Sequence, residues 1–148
     1  LAMQHNLDIA GKIRKVEVHI SGNLNFKITK SQNIEKEFEK LIKKYNSFIK
    51  KKKTNLKEIL AFAVYFHNEF QHIHPFEDGN SRTTRLITFH LLQSKNVPVF
   101  DIPYGLLDEY LSYTKGSRTR EDKKLLSNLQ KVILFNLKKI NEGFYKRF

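Results

Sequence analysis

Two segments with a helical spacing of apolar residues meet at a short polar stretch, residues 74–85. The segment before it carries apolar residues every three or four positions, a pattern typical of a helix with one buried face: Leu56, Ile59, Leu60, Ala63, Phe66, Phe70 and Ile73. Pro75 disfavours helical geometry at His74, so we expect the helix to end there. The segment after it, from about Arg82 to Lys95, is apolar on more than one side, which predicts a buried central helix. The polar stretch is therefore predicted to be a loop between two helices.

Three more helical patterns complete the predicted domain. The first starts at Ser31 and places an apolar and aromatic stripe in the core: Ile34, Phe38, Leu41, Tyr45 and Phe48. A short helix is predicted from about Tyr104 to Thr114. A long one follows from about Arg120 to Asn141, with Gly143 as its stop. The sequence thus predicts a mainly α helical bundle in one domain, residues 1–148.

One segment, residues 14–29, has the two-residue period of strands instead. Val16, Val18 and Ile20 alternate with polar residues, and Leu24 and Phe26 do the same after a turn at residues 21–23. Gly and Asn in that turn tolerate the positive φ of tight hairpins. We therefore expect a β-hairpin whose free edge could pair with an extended peptide, with a purely structural hairpin as the alternative.

Composition limits the class of protein. A length of 148 residues suits one domain, and the absence of cysteine fits a cytoplasmic protein. No apolar run approaches the roughly 20 residues that span a bilayer, so no membrane role is expected. The net charge of +12 suggests an acidic partner, although lysines 43, 44 and 50–53 are also explained by a solvated helix end. Because the first residue is Leu1, we expect a fragment of a longer protein.

The polar stretch combines groups that suit a phosphorylated ligand. His74 can accept a proton near neutral pH, as a general base must. Gly79 permits a tight turn, and Asn80 and Ser81 are good N-cap residues for a helix whose free amides would bind an anion. Asp78 offers hard oxygen ligands for Mg²⁺.

Two arginines strengthen this interpretation. Arg82 and Arg85 lie three residues apart, hence on one helical face, and guanidinium groups match phosphate oxygens. Taken singly, each of these residues has a structural explanation, and Phe76 is expected in the core. A metal site from His67, His72, His74 and Asp78 is a weaker alternative, because His67 and His72 are five apart and do not closely share a helical face.

The stretch resembles the signature of the Fic (filamentation induced by cyclic AMP) domain family, H-P-F-x-[D/E]-G-N-[G/K]-R-x-x-R. Eight positions match: His74, Pro75, Phe76, Asp78, Gly79, Asn80, Arg82 and Arg85. The segment 10–14 with the hairpin 16–26 is also similar to the family's glycine-arginine segment and target-binding flap. The resemblance covers about residues 10–140.

This resemblance implies a protein adenylyltransferase, which transfers AMP from ATP to a Ser, Thr or Tyr hydroxyl of a target protein and releases pyrophosphate. It implies that His74 is the base and that Asp78 holds Mg²⁺ against the α- and β-phosphates. The nucleotide would be bound by the backbone at residues 79–81 with the Asn80 side chain, while Arg82 meets the γ-phosphate and Arg85 the β-phosphate. Phe76 would anchor the loop, and the flap residues would align the target: Val16, Val18, Ile20, Leu24 and Phe26.

Other outcomes stay open. Ser81 stands where the family has Gly or Lys, and if the backbone there needs positive φ the side chain would cost roughly 1–2 kcal/mol and reduce activity. Within the same fold, a phosphotransferase or a de-AMPylase is an alternative, although Gly79 argues against the phosphate-transferring branch, which carries Ala there. From another class, a non-catalytic basic module could bind nucleic acid or act as an adaptor. The sequence disfavours nucleic-acid binding because it lacks interleaved aromatic and basic residues.

The resemblance also suggests how the activity could be regulated. Many members are inhibited by a helix with the pattern [S/T]-x-x-x-E-[G/N], whose Glu pairs with the first motif arginine. Glu142-Gly143 echoes its end, but Lys138 occupies the Ser/Thr place. We therefore expect the inhibitory helix upstream in the full protein or on another chain, and an active fragment. The sequence leaves a homo-oligomer open.

Overall fold

The computed structural model describes residues 8–20, 26–116 and 122–145, and these residues form a mainly helical structure. Within them, a 3-10 turn (Ser31–Asn33) leads into five helices, namely α1 (Ile34–Lys50), α2 (Leu56–Ile73), α3 (Asn80–Ser94), α4 (Tyr104–Gly116) and α5 (Asp122–Tyr145). The predicted mainly α architecture is confirmed. In the described part of the chain, no helix is long and apolar enough to cross a bilayer.

Helix α2 is the central element, since it packs against α1, α3 and α5, while α4 packs on α5. The core has two parts. One, between α2 and the later helices, includes Leu60, Leu91 and Leu129. The other lies at the C-terminal half of α2 and comprises Ile34, Leu41, Phe66, Phe70 and Ile73, with Phe76 packed against it. The 74–85 stretch therefore starts directly on a rigid apolar base.

The prediction of a buried central helix holds for one side of α3 only, and α2 is the central helix instead. Leu86 is 59% exposed, and the buried side of the first turns of α3 carries Thr84 and Thr88 instead. Each threonine hydroxyl donates to the carbonyl one turn earlier, at 2.7 and 2.8 Å. These bonds satisfy the hydroxyl groups inside the helix, so polar side chains can face the core here.

The predicted hairpin is not seen in residues 14–20 and 26–29, which contain no strand, and its turn lies outside the described residues. The backbone groups that a ladder would use have other partners. Arg14 N–H donates to the Pro75 carbonyl and Thr29 N–H to the His72 carbonyl, both at 2.9 Å. Residues 14–20 and 26–29, the two arms of this segment, therefore attach to the last turn of α2 and to Pro75 just after it. These contacts replace strand pairing, which is marginal for an isolated hairpin.

Both ends of α2 follow local signals, whereas the end of α5 does not. Asn55 caps α2 and forms a reciprocal capping box with Glu58, while α2 ends at Ile73 as predicted. Helix α5 instead continues through Gly143 to Tyr145. Nothing lies within 4 Å of a side chain built at Gly143, and glycine in an exposed helix end costs only about 1 kcal/mol, so it does not stop this helix.

Candidate active site

His74 lies at the C-cap of α2 in the left-handed conformation, with φ 50° and ψ 60°. Its N–H donates to the Phe70 carbonyl at 2.9 Å, and its own carbonyl accepts from Arg14 Nε at 2.7 Å. A non-glycine residue in this conformation is strained and persists only where its surroundings hold it. The backbone contacts therefore fix the direction in which the imidazole leaves the helix.

The imidazole of His74 is arranged as a neutral base. Nδ1 lies 3.3 Å from the Gln71 carbonyl oxygen, which can only accept, so Nδ1 carries the proton and Nε2 keeps its lone pair. The pKa of His74 is lowered, chiefly by burial; the Gln71 bond raises it, the Arg14 charge lowers it and Asp78 raises it. The neutral form that can accept a proton is thus favoured at pH 7.

The loop after His74 is closed by Asn80. Its Oδ1 accepts from Phe76 N–H at 3.0 Å and its Nδ2 donates to the Phe76 carbonyl at 2.7 Å. Asn80 is 3% exposed and is the first residue of α3, whereas Gly79 occupies the N-cap position. The prediction that Asn80 or Ser81 caps α3 with its side chain was therefore wrong, because the Asn80 amide is used to shape the loop.

Gly79 turns the chain into α3 with φ 80° and ψ 4°, a conformation that favours glycine. Its N–H donates to Asp78 Oδ1, and Asp78 Oδ2 lies 3.4 Å from the Arg82 guanidinium. Both charged side chains are about half exposed or more, at 61% and 48%. A carboxylate, a guanidinium and the first amides of α3 are thus presented together at one solvent-facing helix end.

Ser81 and Arg85 form a second contact on α3. Arg85 Nη1 donates to Ser81 Oγ at 2.9 Å, and its guanidinium lies 5.5 Å from the ring centre of Tyr110 in α4. Ser81 is a helical residue without positive φ. The backbone penalty considered for Ser81 therefore does not arise, and its hydroxyl instead holds the side chain of Arg85.

A buried polar chain runs behind Arg85. The Tyr110 hydroxyl is 2.7 Å from His67 Nε2, and His67 Nδ1 is 3.2 Å from Asn68 Oδ1. Asn68 Nδ2 in turn donates to Asp122 at the start of α5. The pKa of His67 is lowered to about 4, mainly by burial, with a raising contribution from Asn68 and a lowering one from Arg85. His67 is therefore neutral at pH 7.

The metal alternative for the histidines was wrong. In the described residues no group of three His, Cys, Asp or Glu side chains could hold a metal ion, and both ring nitrogens of His67 have other partners. Asp78 faces solvent just before the N-terminus of α3, with a 61% exposed side chain. One carboxylate fits Mg²⁺ that takes its remaining ligands from phosphates and water, which is a common arrangement for this ion.

The predicted flap residues occupy mixed positions. Val16 is 52% exposed, Val18, Ile20 and Phe26 are half-buried, and Leu24 lies outside the described residues. Phe76 packs edge-on against Phe38 at 6.2 Å between ring centres, as a loop anchor should. Arg14 brings the base of the flap segment to His74, while the described flap residues, Val16, Val18, Ile20 and Phe26, form no strand.

Two groups near the site were missed from the sequence. Arg14, 2% exposed, donates to the carbonyls of Val16, Thr29 and His74. Tyr110 was predicted only as part of the short helix from Tyr104 to Thr114, yet its hydroxyl bonds with His67 and its ring contacts Arg85. Arg14 belongs to the segment 10–14 that resembles the family's glycine-arginine segment, and Tyr110 lies on an apolar helix face, but neither signal specifies these contacts.

These features define a mainly helical protein with a neutral histidine at the end of one helix and two arginines in the first turns of the next. A sequence model of the Fic/DOC family matches residues 1–92, well over half of the 148 residues. The chain belongs to the Fic/DOC family. The predicted family is therefore confirmed.

Individual relatives are more distant. The chain is 27% identical over 113 residues to protein adenylyltransferase Fic of Nematostella vectensis, which covers 76% of this chain and 25% of that protein. It is 31% identical over 75 residues to protein adenylyltransferase Fic of Drosophila mojavensis, covering 51% of this chain and 15% of that protein. The chain thus spans a quarter or less of the length of these curated relatives.

Proposed function

We propose that this chain is a protein adenylyltransferase, which uses ATP and Mg²⁺ to attach AMP to a Ser, Thr or Tyr hydroxyl of a target protein in the cytoplasm. The observation that carries the proposal is the position of a neutral His74, with Nε2 available, beside a helix end that presents Asp78, Arg82 and Arg85. The names of the relatives, protein adenylyltransferase Fic, support the same reaction class.

In the proposed reaction, His74 Nε2 takes the proton of the target hydroxyl as its oxygen attacks the α-phosphorus. The bond from that phosphorus to the oxygen bridging to the β-phosphate breaks, and pyrophosphate leaves with the electron pair. A positioned base of this kind contributes about 10²–10⁴-fold to a rate. Because Nδ1 is held by the Gln71 carbonyl, the ring enters the reaction in the tautomer that the step requires.

The remaining residues would act on the nucleotide. The amides at the start of α3 and the two arginines would stabilise the negative charge that develops on the phosphates, and stabilisation of such charge is typically the largest contribution to catalysis. Asp78 would hold Mg²⁺, which would supply charge neutralisation between phosphate oxygens. The segment from Val16 to Phe26 would align the target, since Arg14 joins its two arms to His74.

The test uses ATP labelled at the α-phosphate and, separately, at the γ-phosphate, with Mg²⁺ and a cell lysate. We expect protein labelled from the α position only, lost in His74→Ala and retained in His72→Ala. His72 is a matched control because it is a histidine two residues away. Its hydrogen bond with Thr29 uses the main-chain oxygen, which the substitution keeps. Label from γ alone would replace the proposal with phosphotransfer, and removal of AMP from a labelled protein would replace it with de-AMPylation.

A chain that transfers no label and binds nucleic acid in a salt-sensitive manner would overturn the enzyme proposal in favour of a basic binding module. The lysine run 50–53, which is exposed after α1, is the surface such a module would use. Neutralising that run should leave α-label transfer unchanged if the adenylyltransferase proposal is correct. An inhibitory helix, whether upstream or on another chain, would reduce the same transfer when added in trans.

A further inference from the structure

Arg85 is held from the protein side by two residues of different helices. Ser81 accepts from its Nη1 at 2.9 Å, and the Tyr110 ring lies beneath its guanidinium at 5.5 Å. Burial raises the pKa of the Tyr110 hydroxyl, while the neighbouring Arg85 and Ser81 side chains act to lower it, which places this hydroxyl beside both of them. A guanidinium has five N–H donors, so these contacts leave donors for a ligand on the outer side.

The direction in which the Tyr110 hydroxyl donates its proton follows from the hydrogen bonds of Asn68 and His67. Asn68 Nδ2 donates to the Asp122 carboxylate, so Asn68 Oδ1 faces His67. Neutral His67 must then donate from Nδ1 and accept at Nε2, and Tyr110 donates its hydroxyl proton to Nε2. The lone pairs of the Tyr110 oxygen are therefore left to accept from Arg85.

We propose that Tyr110 and His67 are positioning residues that hold the Arg85 guanidinium in the orientation in which it binds the β-phosphate of the nucleotide. The inference rests on the proposed function, which assigns that phosphate to Arg85. An arginine side chain loses considerable rotamer entropy when it binds, and a guanidinium already held by acceptors loses less of it. Tyr110 on α4 lies beyond the segment 1–92 matched by the family model, so α4 contributes to the site.

The surroundings support a positioning role over simple core packing. Tyr110 is 5% exposed and His67 2%, yet their polar atoms face one another, and the Tyr110 ring lies against Arg85. A cavity of about 20 Å³, enough for one water molecule, lies among His67, Arg85 and Tyr110 and apolar residues of α5. Apolar packing alone would need none of these polar contacts.

The experiment measures binding of ADP with Mg²⁺ and of AMP by isothermal titration calorimetry. Tyr110→Phe keeps the ring and removes the hydroxyl, and we expect about tenfold weaker ADP binding, as for one lost hydrogen bond to a charged group, with AMP binding unchanged. Tyr45→Phe is the matched control. It removes a hydroxyl from another tyrosine–histidine pair, Tyr45 with His90 at 2.6 Å, and should leave both affinities as in the wild type.

A double-mutant cycle tests whether Tyr110 acts through Arg85. We expect Arg85→Ala to weaken ADP binding and Tyr110→Phe to add nothing in that background. Equal effects of Tyr110→Phe with and without Arg85, or wild-type ADP affinity in Tyr110→Phe, would overturn the inference while leaving the proposed function standing. If the wild type binds ADP no better than AMP and transfers no α-label, the proposed function fails and the inference fails with it.

A second measurement is independent of affinity. In the wild type we expect a slowly exchanging Arg85 Nε–H signal by NMR, because neighbouring acceptors hold the guanidinium. The signal should broaden or exchange faster in Tyr110→Phe and in His67→Phe, and it should be unchanged in Tyr45→Phe. Identical Arg85 signals in all four proteins would contradict a positioning role, whatever the stability of the variants.

Discussion

Arg14 Nε donates a hydrogen bond to the main-chain oxygen of His74 at 2.7 Å, across 60 residues of sequence. The same guanidinium donates to the carbonyls of Val16 and Thr29 at 2.7 and 2.6 Å. Its side chain is fully buried, and the Glu17 carboxylate 3.6 Å away is itself 58% exposed. One buried cation thus joins the two arms of the proposed target-binding segment to the proposed base.

Replacement of Arg14 should therefore destabilise the whole site. Arg14→Ala leaves three carbonyls without their charged donor, and we expect a loss of about 3 kcal/mol or more in the free energy of unfolding, measured by urea denaturation. Arg14→Lys should also be destabilising, because an ammonium cannot reproduce the divergent geometry of a guanidinium. The control Lys12→Ala, at an exposed position, should change the free energy of unfolding by less than about 0.5 kcal/mol. A small effect of Arg14→Ala would show that the carbonyls find other donors.

The lowered pKa of His74 predicts the pH dependence of label transfer. The base must be neutral, and burial keeps it neutral to a lower pH than the ordinary value of 6.5. We therefore expect the initial rate of α-label transfer to stay high at pH 6.5 and to fall only at more acidic pH. His72→Ala should give the same profile. A half-maximal rate above pH 7 would be inconsistent with His74 as the buried base.

How far the sequence predicts this fold depends on the strength of its periodicity. The stripe from Ile34 to Phe48 and the end of α2 before Pro75 are local features, and both are found as predicted. The hairpin failed because alternation fits any extended segment with one half-buried side. Its backbone partners are His72 and Pro75, and no local signal could reveal those.

In the site, too, local features could be predicted from the sequence and long-range contacts could not. The motif residues are contiguous, so the sequence placed them together before the structure did, although their roles stay predictions. Arg14 and Tyr110 reach the site from 60 residues before His74 and from 25 residues after Arg85, and such long-range contacts leave no pattern in a single sequence. For Asn80, a capping role and a bond to Phe76 are equally compatible with its residue type.

The pair of bonds between Asn80 and Phe76 makes a further prediction. Asn80→Asp keeps the acceptor for Phe76 N–H but places an oxygen against the Phe76 carbonyl, where Nδ2 now donates at 2.7 Å. We expect a loss of about 2 kcal/mol in the free energy of unfolding and weaker ADP binding. Asn46→Asp, at an exposed position of α1, is the matched control and should leave both unchanged. Full retention of both properties in Asn80→Asp would mean that the loop does not depend on this closure.

Ser81→Gly restores a residue type of the family pattern, yet we expect no gain in activity. Ser81 already has a helical backbone, so glycine relieves no strain and instead costs about 1 kcal/mol of stability. It also removes the hydroxyl that accepts from Arg85 Nη1. The measurement is the single-turnover rate of α-label transfer by the wild type and by Ser81→Gly. A clearly faster Ser81→Gly protein would show that the serine obstructs the nucleotide.

The buried His67 predicts an acid-dependent loss of stability. Its pKa is about 4 in the folded protein and about 6.5 when unfolded, so between these values the unfolded chain binds more protons. The stabilisation of the folded protein by neutral His67 is complete above about pH 6.5. It is lost as the pH falls, by up to about 3 kcal/mol near pH 4. We expect His67→Gln to be less stable at pH 8 and to lose less between pH 8 and pH 5, by urea denaturation at both values. His19→Gln, an exposed control, should follow the wild type, and parallel curves for His67→Gln would show that His67 does not resist protonation. Since the Tyr110 hydroxyl needs neutral His67 as its acceptor, the same acidification should also loosen Arg85.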